Sequence, residues 1–168
     1  MKYFEHESAA TFDEAVSLLK ESPKGKTVVM AGGSDLIGVL KEQILEDYPE
    51  KVVDLKTVRG GEYIKQDGDT IEIGALTKLC DIVKSDLLNE KAPVLSQAAR
   101  SVATPLIRNV ATMGGNICQD VRCWFYRYPH GIGGRMDCMR KGGKECYAVM
   151  GDNRYHSIFG GMKVHTTP

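Results

Sequence analysis

Apolar residues first recur at helical spacing at Phe12, Ala15, Val16 and Leu19, just behind a capping box in Thr11-Phe12-Asp13-Glu14. Ser22-Pro23-Lys24-Gly25 stops the run, so the pattern predicts a helix over about residues 11 to 21. Thr27 to Ala31 is a short, continuous apolar segment, typical of a strand buried on both faces, and it delivers the chain to Gly32-Gly33. Leu36 to Leu45 is apolar enough for a second helix, and Lys51-Val52-Val53-Asp54-Leu55 reads as another strand. A polar break at Arg59-Gly60-Gly61 then suggests a boundary, which makes residues 1–56 a compact α/β lobe.

In the remainder, 57–168, Ile64, Ile71 and Ile73 alternate with polar neighbours on either side of Asp67-Gly68-Asp69. That pattern predicts a hairpin of Tyr63 to Gln66 with Thr70 to Ile73. Helical segments follow around Thr77 to Val83, Ser85 to Leu88 and Pro93 to Ala103, the last with Val94, Ala98 and Val102 on one stripe. A second glycine turn comes next, at Gly114-Gly115. From Cys118 onward periodicity lapses amid glycines, cysteines and aromatics until Tyr155-His156-Ser157-Ile158-Phe159. Long loops of this kind inside a compact domain usually bind something or are mobile, so 117–155 reads as a Cys-rich loop in a second α+β lobe.

The charge balance narrows the partners. Lys plus Arg and Asp plus Glu each total 22 in 168 residues, which argues against a strongly basic nucleic-acid surface or a polybasic membrane patch. The N-terminal residues hold no apolar stretch long enough for a signal peptide or a membrane span, and the expected location is cytoplasmic. Of five cysteines, Cys118, Cys123, Cys138 and Cys146 fall close together. In a cytosolic protein that clustering suggests metal or redox chemistry more than a disulfide framework.

The two glycine pairs offer the clearest chemistry. Val28-Val29-Met30-Ala31-Gly32-Gly33-Ser34-Asp35 and Val110-Ala111-Thr112-Met113-Gly114-Gly115-Asn116 each run from apolar residues into Gly-Gly with a small polar residue behind it. Paired glycines leave backbone amides open to an anion, and the Ser or Asn can add hydrogen bonds to phosphate oxygens. A single Gly-Gly usually serves a turn only. Other nucleotide signatures fail: no strand is followed by Gly-x-Gly-x-x-Gly, and Gly25-Lys26-Thr27 lacks the P-loop's first glycine (Lys20 stands there) and precedes its strand.

Together with their flanks, these stretches resemble the FAD-binding domain of the molybdenum hydroxylases, the family of xanthine dehydrogenase, carbon monoxide dehydrogenase and 4-hydroxybenzoyl-CoA reductase. The matching motifs are Ala31-Gly32-Gly33-Ser34-Asp35-Leu36 and Ile107-Arg108-Asn109-Val110-Ala111-Thr112-Met113-Gly114-Gly115-Asn116. The resemblance implies an α+β, two-lobed FAD-binding domain of the molybdopterin dehydrogenase (vanillyl-alcohol-oxidase-like) type, with the FAD diphosphate held by amides of both turns. Carried over by residue, the contacts are Val29, Met30, Ala31, Gly32, Gly33, Ser34, Asp35 and Leu36, then Ala111, Thr112, Gly114, Gly115 and Asn116, with Asp120 toward the ribose. Arg108 and Asn109 match the motif too, with bracing of the loop as an alternative role. The implied activity is that of an FAD-dependent oxidoreductase domain passing electrons between an external carrier and iron-sulfur centres. Its implied partners are subunits or domains that carry iron-sulfur and molybdenum cofactors.

The cysteine segment is similar to the loop by which the 4-hydroxybenzoyl-CoA reductase-type flavin subunit holds an extra [4Fe-4S] cluster. Cys123, Cys138 and Cys146 match, while the fourth position falls on Tyr155. A cluster normally needs four thiolates, so Cys118 or a cysteine beyond Pro168 would have to complete it. Otherwise the thiols pack as small hydrophobes. A zinc site on the same ligands lacks a close-spaced cysteine pair. His130, His156 and His165 read as surface or structural residues, with His156 the one considered for contact with flavin or metal. Trp124, Phe125 and Tyr126 read either as core or as a shield over a flavin ring or a cluster. The family's further C-terminal domain is not present in the 168 residues, which reads as a domain cut from a longer polypeptide. Two competing readings remain: a non-catalytic assembly or binding module that keeps the fold, and a Cys-based metal-binding module.

Overall fold

The computed structural model describes residues 1–45, 47–129, 136–154 and 156. Most of the Tyr155 to Phe159 pattern, and His130 and His165, lie outside the described residues. The chain forms two compact units, one built from residues 4–35 and 49–119, the other from 1–3, 36–48 and 120–168. The Arg59-Gly60-Gly61 break lies inside the larger unit.

The larger unit contains a three-stranded parallel sheet. Its strands are β1 (Glu5–Ser8), β2 (Thr27–Met30) and β3 (Lys51–Asp54), in the order β1-β3-β2. The β1 sequence, Glu-His-Glu-Ser, carries no apolar signal and is fixed from outside itself. Lys51 of β3 donates to the Glu7 carboxylate at 2.7 Å, and His6 pairs with Asp54 at 3.5 Å. Only the central β3 reads as buried, with Val52 and Val53 fully enclosed. β2 is an edge strand with Val29 41% exposed, so burial on both faces does not hold for it.

Helix α1 (Phe12–Glu21) begins as its capping box predicts. Thr11 Oγ1 accepts from the Glu14 amide, and the Glu14 carboxylate accepts from the amide of Ala10, one residue before the cap. Its inward face is narrower than the expected stripe. Ala15 is buried and Leu18 packs beside it, in a cluster with Ala9, Val53, Val58 and Leu76, while Phe12, Val16 and Leu19 stay 37–44% exposed.

The hairpin β4 (Ile64–Asp67) and β5 (Thr70–Ile73) closes through Gly68, whose φ of 57° suits the tight turn. A helical layer follows: α3 (Leu79–Lys84), α4 (Asp86–Lys91), α5 (Pro93–Ser101), α6 (Pro105–Arg108) and α7 (Met113–Ile117). Leu79, Ile82, Leu88, Ala99 and Ala111 form its core. On α5 the inward stripe is Leu95, Ser96, Ala99 and Val102, and Val94, expected inside, is 74% exposed. Ser96 is buried because its hydroxyl donates to the Ile82 carbonyl at 3.2 Å, a partner no periodicity shows.

The smaller unit packs α2 (Leu36–Lys41) with a 3₁₀ turn (Met139–Lys141) and α8 (Tyr147–Met150). α2 stops short of Leu45, because Gln43 takes a left-handed φ of 52° and turns Ile44 inward. The core here is Val39, Ile44, Cys123, Tyr126, Cys138 and Ala148.

Two substitutions probe these cores. Ile82→Ala removes a fully buried side chain and should cost about 2–5 kcal/mol in urea unfolding. Gly38→Ala, within α2 and with open space where a Cβ would sit, should instead stabilise by about 0.5–1 kcal/mol in the same assay.

Candidate functional site

The first glycine turn leaves the end of β2 in the larger unit. A Cβ on Gly32 would overlap the Val110 carbonyl oxygen and stand 3.0 Å from Ala111 Cα, so only glycine lets the backbones meet. This contact joins the two motifs, which lie almost eighty residues apart in sequence. Gly33 takes a φ of 72°, a left-handed conformation in which successive amides can face one concavity. Among the described residues, the amides of Gly32, Gly33 and Ser34 have no hydrogen-bond partner. The Ser34 hydroxyl is exposed beside them.

The second motif differs from a simple Gly-Gly turn. Thr112 caps α7, and its hydroxyl accepts from the Gly115 amide at 3.2 Å, so Gly114 and Gly115 occupy a helical first turn. The neighbouring amides are also engaged: Met113 donates to Thr77 O, Gly114 to Ala75 O, and Asn116 to Thr112 O, each at 2.8 Å. These bonds, with Leu79 N to Ala111 O, stitch residues 111–114 to 75–79. A Cβ on Gly114 would come within 2.9 Å of Ala75 O, so that glycine too serves close backbone approach.

The second motif therefore cannot offer the same free amides as the first. What it can present is the Thr112 hydroxyl proton, the exposed Gly115, and the half-buried Asn116 carboxamide, which makes no hydrogen bond to the described residues. Ala111, by contrast, is a core residue.

The flanking candidates divide by role. Arg108 donates to the Val102 carbonyl at 2.7 Å and to that of Ala103 at 3.4 Å, holding a loop where Ala103 is strained at φ 43°. Arg108 thus braces the entry to the second motif. Met30 is buried in β2, and Leu36 begins α2 in the smaller unit with Asp35, half-buried, just before it. Asp120 also belongs to the smaller unit. Its carboxylate accepts from the Val121 amide and from Tyr126 Oη, local bonds that compete with a role at a ribose. Burial, and then the hydrogen bond to Asp120, push the Tyr126 hydroxyl well above the usual tyrosine range.

The cysteines separate as well. Cys118 is exposed at the end of α7, in the larger unit. Cys123, Cys138 and Cys146 line one cavity in the smaller unit, walled by Phe125, Tyr126 and Tyr147. The loop between Cys138 and Cys146 closes on itself, with Met139 N donating to Glu145 O at 2.8 Å and Gly142 turning at φ 84°. Arg140 lines the cavity, and the buried Lys141 sits 5.8 Å from the centre of the Tyr126 ring. Trp124, expected with the shielding aromatics, is 53% exposed. Among the described residues, no three His, Cys, Asp or Glu side chains converge closely enough to hold a single metal ion, and no helix is long and apolar enough to cross a membrane.

Comparison with known proteins places this α+β fold beside flavin subunits. Carbon monoxide dehydrogenase from Hydrogenophaga pseudoflava superposes with a TM-score of 0.65 at 31% identity, over 69% of this chain and 39% of that one. The chain belongs to the family described as the FAD binding domain in molybdopterin dehydrogenase, whose model matches residues 2–123. FAD is the cofactor of that family. The nicotinate dehydrogenase FAD-subunit of Eubacterium barkeri is 34% identical over 70% of this chain and 39% of its own length. The aldehyde oxidoreductase FAD-binding subunit PaoB of Escherichia coli K12 is 29% identical over 161 residues, a match long enough to run through the cysteine segment. The chain spans between about two fifths and one half of these relatives' lengths.

If the Gly32 contact holds the motifs together, Gly32→Val must drive them apart. Amides near Ala111 and Thr112 should then exchange faster with deuterium than in the parent, while those of the distant hairpin β4–β5 keep their protection.

Proposed function

We propose that this chain is the FAD-binding portion of a molybdenum-hydroxylase-type oxidoreductase. In this reading it passes electrons between an external carrier and iron-sulfur centres on partner subunits or domains. The observation that carries this reading is the row of three open amides at Gly32, Gly33 and Ser34, held against the second motif by the Gly32 contact. A diphosphate fits such a row because it accepts several N–H bonds at once and needs no counter-charge brought by a side chain. The balanced charge of the chain agrees with a site built from backbone dipoles.

In the proposed site the first turn binds the diphosphate, and Ser34 adds a hydroxyl donor. Thr112 and Asn116 meet the same cofactor from the second motif, while Arg108 keeps that motif in register. The FAD supplies the redox chemistry by taking up and releasing electrons. The protein supplies binding, orientation and a defined path to its partners. The relatives named as FAD subunits and medium chains of dehydrogenases support assignment to such an assembly. A cytoplasmic location agrees with five unpaired cysteines.

Purified protein should take up FAD and show the two visible absorption bands of a bound flavin. Gly33→Val should lose that uptake, since a β-branched residue cannot hold φ 72°, while Gly38→Ala should retain it. A parent protein that stays colourless in excess FAD would favour the non-catalytic module.

A further inference from the structure

The second motif is only as well placed as the segment that backs it, residues 75–79. That segment carries a buried hydroxyl, on Thr77, which is 3% exposed. Thr77 Oγ1 donates to the Tyr63 carbonyl at 2.9 Å and accepts from the Tyr63 amide at 3.0 Å. One side chain thus makes the reciprocal pair of bonds that a neighbouring strand residue would make. The carbonyl of the same residue accepts from the Met113 amide at 2.8 Å. Thr77 therefore grips the base of the β4–β5 hairpin with its side chain and carries the second motif with its backbone.

We propose that Thr77 is a positioning residue for FAD: its bonds to Tyr63 fix residues 75–79, and these in turn set where Thr112 and Asn116 stand. The inference rests on the proposed FAD function. Thr77 is buried, so it acts through the second motif and not by contact with the cofactor.

The chain of contacts has little slack. At the hairpin end, Gly74 donates to the Tyr63 carbonyl and Leu76 to that of Gly61, each at 2.8 Å. At the other end Gly114 donates to Ala75 O, Leu79 to Ala111 O, and Lys78 pairs with Thr112 in an antiparallel bridge. A Cβ on Gly114 would come within 2.9 Å of Ala75 O, so the two segments already touch as closely as glycine permits. The direction of the hydroxyl is informative too. At the start of a helical stretch a threonine ordinarily caps the helix. Here α3 begins without a side-chain cap at Lys78, and the Thr77 hydroxyl turns to the hairpin instead. Without that hydroxyl the part-buried Tyr63 amide loses its acceptor, and the backing segment must shift to satisfy it.

The test titrates FAD back into the flavin-free full chain, beside deuterium exchange and urea unfolding of the same samples. Thr77→Val keeps the side chain's shape and loses both bonds. It should raise the FAD dissociation constant about tenfold, and the amides of Met113 and Gly114 should exchange faster. Thr77→Ser, which keeps the hydroxyl, should restore the parent's affinity. Added to Asn116→Ala, Thr77→Val should cost less than the two single changes predict, because both act on the same contact. Should Thr77→Val not fold, Thr77→Cys, with its weaker hydrogen-bonding group, takes its place in each comparison. The proposal is overturned by Thr77→Ser binding as weakly as Thr77→Val, by parent-like exchange at Met113 and Gly114, or by fully additive losses in the double variant. FAD binding that Thr77→Val leaves unchanged overturns this inference alone, whereas a parent that takes up no FAD overturns the FAD function and this inference with it.

Discussion

The contact of Gly32 with the backbone of Val110 and Ala111 is the constraint on which the rest of the larger unit's chemistry depends. Backbones can meet this closely only where no Cβ intervenes, so the contact requires glycine at that position for steric reasons. Once it is made, the open amides of the first turn and the polar side chains of the second motif lie together, where the proposed function has them meet one cofactor. Without it, two short motifs far apart in sequence would have no reason to act together.

The two motifs look alike on paper, yet they contribute differently. The first keeps its amides open because it leaves an edge strand and carries Gly33 in a left-handed conformation. The second has its amides bonded to Ala75, Thr77 and Thr112, which makes it a rigid wall. That asymmetry is sensible physics. In the proposed site, one side supplies unsatisfied donors, and the other supplies a surface whose own hydrogen bonds hold it still. Arg108 belongs to the second task, bonding two carbonyls of a strained loop so that the wall begins in the right place.

The smaller unit has its own logic. Buried thiols are ordinary core residues when scattered, but here the buried Cys123 and Cys138 and the half-buried Cys146 line one cavity with aromatic walls. The Cys138 to Cys146 loop is prefolded by its own backbone bonds, which lowers the entropy lost when a ligand is held there.

Much of this was legible in the residues. Thr11 and Glu14 set the start of α1, Asp67-Gly68-Asp69 set the hairpin, and the paired glycine motifs with their flanks identified the family, because each of these signals is local. The inward faces of α1 and α5 depart from the periodic stripes of their sequences. Burial of Leu18 or Ser96 depends on what packs opposite, and Ser96 enters the core only because Ile82 offers a carbonyl. β1 was invisible for a related reason, since its polar strand is defined by pairing with β3 and by Lys51. Sequence by itself determined the family and where its paired glycines and its cysteines fall. Only the tertiary structure decided which amides remain open, which cysteines share a cavity, and that His156 lies beside Cys123, because those depend on partners brought together from distant parts of the chain.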